Sequence, residues 1–196
     1  MTPPATRGRS GTAALILATA EEIIQLKGYG GFSYADVAAE LKITKAALHY
    51  HFPGKAELGE ALIAAWAARF ADAFAALDAA GGPALARLHG YIDLHARILG
   101  KRRMCMCGRL AAEYQTLPAP MRAALVKFFD HSQVWLEGSL EQGRSEGTLR
   151  FAGAARDTAL LIISALEGAM LLAGPNGNIE RFNSTVTSLV SALHEP

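Results

Sequence analysis

The spacing of the apolar residues constrains the fold of this chain more than any other feature of its sequence. Apolar side chains recur every three to four residues in segment after segment, and Gly and Pro mark the joints between the segments. No stretch alternates apolar with polar residues for long, as a strand would. We therefore predict an all-α protein of about nine helices. The predicted helices cover residues 10–27, 34–41, 45–51, 55–79, 83–99, 104–114, 120–144, 154–172 and 179–193.

Composition excludes several other classes of protein. Hydrophobic residues make up 51% of the 196 residues and charged residues 19%, which is too apolar for a disordered chain. The most apolar stretch, residues 159–172, contains Ser164 and Glu167 and is too short to span a bilayer. Residues 1–12 have no apolar core like that of a secretory signal. We therefore expect a cytoplasmic protein with no membrane association.

The net charge of +1 excludes a strongly basic coat. Any contact with nucleic acid must therefore come from a local patch on an otherwise neutral molecule. Residues 1–55 hold six Lys and Arg against four Asp and Glu, whereas the rest of the chain holds 13 against 14. Arg7 and Arg9 lie before the first predicted helix, whereas Lys42, Lys45 and Lys55 lie around the short second and third helices.

Two short helices joined by a tight turn follow the first helix. Ser33 and Thr44 stand directly before them as N-cap residues, and Pro53-Gly54 closes the second after at most two turns. This order describes a helix-turn-helix, a motif that docks its second helix in the major groove of DNA.

Three stretches of this unit resemble the DNA-binding segment of TetR-family transcriptional regulators: Gly28-Tyr29, residues 32–38 (FSYADVA) and residues 43–55 (ITKAALHYHFPGK). The resemblance is strong over residues 10–60 and is one of layout beyond them. It implies a helix-turn-helix DNA-binding domain at residues 1–54 and an all-α ligand-binding and dimerisation domain at residues 55–196. His49 and Tyr50 depart from the family, which usually has Tyr at the first position and often His at the second.

The third helix is predicted to turn its polar face outward. Ala46 is small enough for the helix backbone to approach the bases, while the side chains beside it offer hydrogen-bond donors to phosphates or base edges. The alternative is an ordinary solvated surface. The predicted DNA-contacting residues are Arg9, Ser33, Thr44, Lys45, Ala46, His49, Tyr50 and Lys55.

Four of these residues have more particular predicted roles. The hydroxyls of Ser33 and Thr44 can cap their helices, and the free N–H groups there can hold phosphates. Lys55 combines its charge with the positive end of the fourth helix, as a phosphate clamp would. Arg9 precedes the first predicted helix, either as an arm for the minor groove or as an untethered tail.

Self-association follows from the small size of the third helix. Two turns read only a few base pairs, so discrimination requires two copies on a pseudo-palindromic double-stranded DNA operator. The last two predicted helices carry apolar and small residues on many faces, which favours a four-helix bundle in a homodimer over a monomer core. The predicted interface residues are Ile162, Ala165, Ala169, Ile179, Phe182, Val186 and Leu189.

The helical middle encloses a small-molecule pocket in the family that the chain resembles. The implied function is a repressor that an unidentified inducer releases from its operator. Each candidate lining residue could equally be plain core, and His95 in particular lies within an apolar stripe. The candidates are Trp66, Phe70, Ile92, His95, Met106, Leu110, Trp135 and Met170.

Cys105 is a candidate redox residue. It follows three cations and is predicted just inside a helix start, where charge and dipole lower a thiol pKa. A thiol-switched repressor is thus the alternative function, and a buried structural cysteine is the alternative role. Cys107 is predicted on the opposite side of the helix, so the two do not form a metal pair.

An enzyme is the third hypothesis, and the sequence gives it no support. It contains no Gly-rich phosphate loop, no nucleophile elbow and no paired zinc-type histidines. We therefore expect no catalytic residues, no metal and no cofactor.

Overall fold

The computed structural model describes residues 6–174 and 177–193, with side chains from residue 11 onward. Within these residues it contains nine α-helices, one 3-10 turn at Tyr114–Thr116 and no strand, which confirms the predicted all-α class. No helix in the described ranges combines the length and apolar character that crossing a membrane requires. The helices are α1 (Thr6–Lys27), α2 (Tyr34–Leu41), α3 (Lys45–His51), α4 (Lys55–Ala80), α5 (Ala84–Gly100), α6 (Met106–Ala111), α7 (Ala119–Glu146), α8 (Ala155–Ala173) and α9 (Ile179–Ala192).

The first three helices form a small module of their own. Ile16 and Ile24 of α1, Val37 of α2 and Leu48 of α3 are all fully buried. They belong to the stripes that the sequence spacing predicts, and α2 packs on α1 while α3 packs on α2. The module also rests on the rest of the molecule, because α1 packs on α4 and α6.

The larger body consists of α4 to α9. In it α7 packs on α4, α5 and α8, and α9 covers α8. Aromatic rings fill the space between α4, α5 and α7: Phe74 stacks on Trp135 with ring centroids 4.3 Å apart, and Phe70 meets Phe128 edge-on at 5.2 Å. Such pairs contribute beyond the apolar area that they bury, so this cluster fixes α4 against α7.

A carboxylate joins the module to the body. Glu113, just beyond α6, accepts hydrogen bonds from the backbone N–H groups of Tyr29 (3.1 Å) and Gly30 (2.7 Å), in the turn between α1 and α2. Gly28 permits this contact: its φ is +78°, and a Cβ there would lie 1.9 Å from the Glu113 carboxylate. Gln25 adds a second link, donating from Nε2 to the carbonyl oxygen of Met104 at 2.9 Å.

Two predicted boundaries are wrong. α1 begins at Thr6 rather than residue 10, so Arg9 belongs to the helix and does not form an arm ahead of it; its side chain lies outside the described residues. α6 is shorter than predicted, because the backbone of Cys105 is non-helical and residues beyond Ala112 tighten into the 3-10 turn.

Candidate nucleic-acid interface and ligand sites

Side-chain caps fix the residues at which α2 and α3 begin. Ser33 and Asp36 form a reciprocal capping box: the Asp36 N–H donates to Ser33 Oγ (3.3 Å), and the Ser33 N–H donates to Asp36 Oδ2 (2.9 Å). The Ser33 hydroxyl lowers the pKa of Asp36 by hydrogen bonding to its carboxylate. At α3, Thr44 Oγ1 accepts from the Ala47 N–H at 3.1 Å. Both predicted N-caps are therefore confirmed as caps.

α3 turns one residue inward and most of the others outward. Leu48 is fully buried, whereas Lys45, Ala46, His49 and Tyr50 are exposed on one side of the helix. The four predicted contact residues of α3 thus share an accessible face with no bulky side chain at position 46. This face offers an ammonium, an imidazole and a phenol to a partner surface.

Tyr34 fastens the end of α3, a role that its position in an apolar stripe concealed. Its hydroxyl lies 2.8 Å from the carbonyl oxygen of Phe52 and 2.6 Å from that of Gly54, and it donates to them. Burial, with help from Glu57, raises the pKa of Tyr34 to about 12. The ring also packs 4.8 Å from that of His49, whose Nδ1–H donates to the Pro53 carbonyl at 2.9 Å. His49 is therefore exposed but held in place.

Lys55 lies at the start of α4, and its predicted role as a phosphate clamp stays a prediction. Its ammonium is half-buried and lies 4.3 Å from the ring centre of Tyr29 and 5.1 Å from that of Phe32. Burial lowers the pKa of Lys55. The position of Lys55 depends on tertiary packing, because the start of α4 lies against the turn after α1. The aromatic rings of that turn attract the ammonium inward.

An open cavity of about 380 Å³ lies between α1, α4 and α5. Trp66 and Phe70 form an apolar part of its lining, and the indole N–H of Trp66 is buried without a hydrogen-bond partner within the described residues. Four cations and the single carboxylate of Glu21 complete its charged lining. The cations are Arg69, Arg97, Lys101 and Arg103.

The remaining predicted pocket residues lie elsewhere. Only Trp66 and Phe70 of the predicted set line this cavity. Trp135 instead donates from Nε1 to Asp78 at 3.0 Å. The others are buried in the core and do not line this cavity. These core residues are Ile92, His95, Met106, Leu110 and Met170.

The environment predicted for Cys105 is wrong. The residue is the N-cap of α6 and is 0% exposed, and burial raises the pKa of its thiol well above the usual value, assisted by the nearby carboxylate of Glu167. Of the three cations that precede it, Arg103 pairs with Glu22 at 2.8 Å. Cys107 is also buried, with its thiol pKa raised by burial.

The predicted dimer residues divide into two groups. Ile162, Ala169 and Phe182 are buried within the single chain, so they cannot contact a partner and that part of the prediction is wrong. Ala165, Val186 and Leu189 are half-buried, and Ile179 is exposed. The exposed apolar stripe of α8 is a different one, formed by Leu160, Leu161, Leu171 and Leu172.

Two family models match the chain. Residues 16–62 match the bacterial regulatory proteins of the tetR family, and residues 84–189 match the tetracyclin repressor-like C-terminal domain. The first match covers the whole of α2 and α3 and continues into α4. The second covers more than half of the chain.

Individual relatives agree with the family models. The transcriptional regulator AcuR of Cereibacter sphaeroides is 33% identical over 118 residues, which are 58% of this chain and 53% of that protein. The chain thus aligns with about half the length of this relative. A TetR-family regulator from Agrobacterium tumefaciens superposes with a TM-score of 0.90 at 28% identity, covering 94% of this chain and 98% of that one.

A TetR regulator from Legionella pneumophila superposes with a TM-score of 0.82, also at 28% identity, over 98% of this chain and 100% of that one. Fold, helix-turn-helix and both family models therefore lead to one conclusion: this chain belongs to the TetR family of bacterial transcriptional regulators.

Proposed function

We propose that this chain is a homodimeric repressor that binds a pseudo-palindromic operator and is released from it by a small molecule. The observation that carries the proposal is the outward face of α3, where Lys45, Ala46, His49 and Tyr50 are exposed on a helix held at both ends. The dimensions of a two-turn helix suit the major groove, and the small Ala46 allows close approach to the bases.

The exposed stripe of α8 supports the homodimer. Leu160, Leu161, Leu171 and Leu172 are each more than half exposed, and they lie on one face of the helix with Ser164. Large apolar side chains grouped in this way mark an interaction site. A two-fold axis through this stripe would pair α8 with its own copy and present two α3 helices to one DNA duplex.

The cavity between α1, α4 and α5 is the ligand site that we propose. Arg97 and Lys101 have no carboxylate within ion-pair distance in the described part of the chain, so their charge is available to a ligand. With Trp66 and Phe70 alongside, the lining suits an organic anion that has an apolar body. Since α1 contributes Glu21 and Gln25, a ligand there contacts the module directly.

Charge neutralisation at this cavity gives a route to release. Glu21 pairs with Arg69 of α4, and Glu22 with Arg103, so two ion pairs connect α1 to the body beside the cavity. An anion that recruits Arg69 or Arg103 competes with those pairs and favours another placement of α1. Only such a difference in affinity between two arrangements can move the equilibrium away from the DNA-bound state.

The thiol-switched alternative receives less support. It needs an accessible thiolate, whereas Cys105 is fully buried and its thiol pKa is raised. Replacing Cys105 with Ser tests it, because equal release of DNA by oxidants in both proteins contradicts thiol sensing at this position. The cytoplasmic location stays a prediction.

The DNA-binding experiment uses the full chain and the promoter regions of its own and neighbouring genes. We expect salt-sensitive binding that weakens at least tenfold in the Lys45→Ala/Tyr50→Ala protein, because each subunit loses two contacts. Lys127→Ala, which removes an exposed cation from α7, is the matched control and leaves affinity unchanged. Unchanged binding in the α3 variant contradicts the proposal.

The ligand experiment follows quenching of tryptophan fluorescence by a series of carboxylates and their neutral amides. We expect the carboxylates to bind and the amides not to, with affinity at least fivefold weaker in Arg97→Gln/Lys101→Gln. Arg156→Gln, an exposed cation of α8 far along the chain from the cavity lining, serves as the control. Equal binding of acids and amides contradicts an anionic ligand.

A further inference from the structure

Three side chains from separate helical segments meet inside the body, away from the cationic cavity. His95 of α5, Cys105 before α6 and Glu167 of α8 each bring one ligand atom into a group in which all three atoms lie within 4.8 Å of one another. His95 Nε2 is 3.9 Å from Glu167 Oε1. The cysteine is 0% and the histidine 2% exposed, so solvent contributes little to this group.

The imidazole is oriented towards its two partners. His95 Nδ1 lies 3.0 Å from the backbone carbonyl oxygen of Tyr91, which can only accept, so Nδ1 carries the hydrogen. Nε2 therefore faces Glu167. Histidines that bind metals are held in this way, with one nitrogen donating to a carbonyl or carboxylate and the other facing the ion.

Glu167 is unusually placed for a carboxylate. Its Oε2 is buried and has no hydrogen-bond partner within the described residues, an arrangement that native structures rarely leave unexplained. The side chain lies over Gly108, where a Cβ would come within 2.0 Å of Oε2. The glycine thus makes room for a buried acid whose partners within the described residues are the other two members of the group, the Cys105 thiol by a hydrogen bond and His95 Nε2 at 3.9 Å.

We propose that His95, Cys105 and Glu167 form a binding site for a divalent transition-metal ion of the zinc type. One nitrogen, one sulfur and one oxygen ligand are the donor set that Zn²⁺ takes in proteins. A thiolate and a carboxylate together neutralise a 2+ ion, so the filled site carries no net charge into the core.

A cavity adjoins the proposed site at Glu167. Glu167 also lines an apolar space of about 270 Å³ between α6, α7 and α8, together with Gly108, Phe129 and Ser164. Three protein ligands and one open position are typical of zinc sites that accept water or a small ligand. Because His95 lies in α5, Cys105 directly before α6 and Glu167 in α8, a bound ion would link three different segments of the chain.

Cobalt titration of the full-length, tag-free protein after chelation tests the site. Co²⁺ is the probe because a thiolate ligand gives it an intense charge-transfer absorption, which surface histidines do not produce. We expect this band to saturate at one equivalent per chain and to disappear when one equivalent of Zn²⁺ is added. Absence of the band in the wild-type protein overturns the proposal, whatever the variants do.

Cys107 provides the matched control, since it is equally buried and only two residues away. The band should persist in Cys107→Ala and vanish in Cys105→Ala, with thermal unfolding used to confirm that both proteins fold. Glu167→Gln should keep the band but weaken Zn²⁺ affinity at least tenfold. A band that survives loss of Cys105 overturns the site. DNA binding is measured separately, so failure here is distinguishable from failure of the proposed function.

Discussion

α3 and α6 are both short helices of seven and six residues, and they are stabilised in opposite ways. Neither is long enough to persist alone. α3 buries only Leu48 and is fixed at its ends, by the Thr44 cap and by Tyr34 on the backbone that follows it. α6 has no side-chain cap and instead buries Met106, Cys107 and Leu110. A helix fixed at its ends keeps a side face for a partner, whereas a helix fixed by burial has none to offer.

The largest expected loss of stability comes from a substitution in α6. Leu110→Ala removes a fully buried side chain, and the cavity left behind should lower the free energy of unfolding by about 2–5 kcal/mol. Lys45→Ala on the exposed face of α3 should change it by no more than about 0.5 kcal/mol. Urea denaturation of both proteins measures the difference. Similar losses in the two variants contradict the contrast drawn between the helices.

The next largest loss of stability comes from removing the hydrogen bonds at the C-terminal end of α3. Tyr34→Phe removes the hydroxyl that donates to the carbonyl groups of Phe52 and Gly54, of which the Gly54 carbonyl keeps the Leu58 N–H, and we expect a loss of about 1–2 kcal/mol in the free energy of unfolding. The operator affinity should fall as well, because α3 loses its fixed position. Tyr114→Phe is the control, since its hydroxyl makes no hydrogen bond within the described residues. An equal loss in the control would remove the special role of Tyr34.

A smaller loss of stability is expected from removing the cap at the N-terminal end of α3. Thr44→Ala removes the oxygen that accepts from the Ala47 N–H, and it should cost about 1 kcal/mol of stability. Thr44→Ser keeps the acceptor and should remain close to wild type. Thermal unfolding and operator binding together check the prediction. If Ser and Ala behave alike at position 44, the cap does not hold α3.

The smallest expected effect is a loss of stability at alkaline pH. The folded pKa of Tyr34 is about 12, above the ordinary value near 10, so between these pH values the unfolded chain has lost a proton that the folded chain keeps. Stability is therefore fully present below pH ~10 and falls as pH rises towards ~12. Tyr29, whose pKa burial also raises, contributes in the same direction. Denaturation midpoints across this range should decline less steeply in Tyr34→Phe; an unchanged slope would refute the assignment.

Features that depend on neighbouring residues were predictable from the sequence. The bounds of α2 and α3 agree with the prediction, because Ser33 and Thr44 satisfy N–H groups only three residues away and Pro53 ends α3. The outward side of α3 follows equally from the spacing of Leu48 and its neighbours. Local hydrogen-bonding chemistry and helical period fully specify these elements.

Features that depend on distant residues were not predictable. The three cations before Cys105 suggested a reactive thiol, but the thiol pKa depends on burial and on Glu167, 62 positions away. Lys55 likewise turns towards Tyr29 because of how α4 lies on the first turn. The periodicity of α8 identifies an apolar helix but not which of its sides meets the core, so Ile162, predicted at the dimer interface, is buried in the core, whereas Leu161 is exposed.

The contact between Gly28 and Glu113 has a consequence for how the two positions evolve as well as for the structure. A side chain at position 28 would occupy the place of the carboxylate and would require a left-handed backbone that glycine alone adopts readily. Loss of the acid first would leave two amides of the turn without an acceptor. Neither position can change independently, so among related sequences the two should covary, and that pairing would record how far back this link between module and body was inherited.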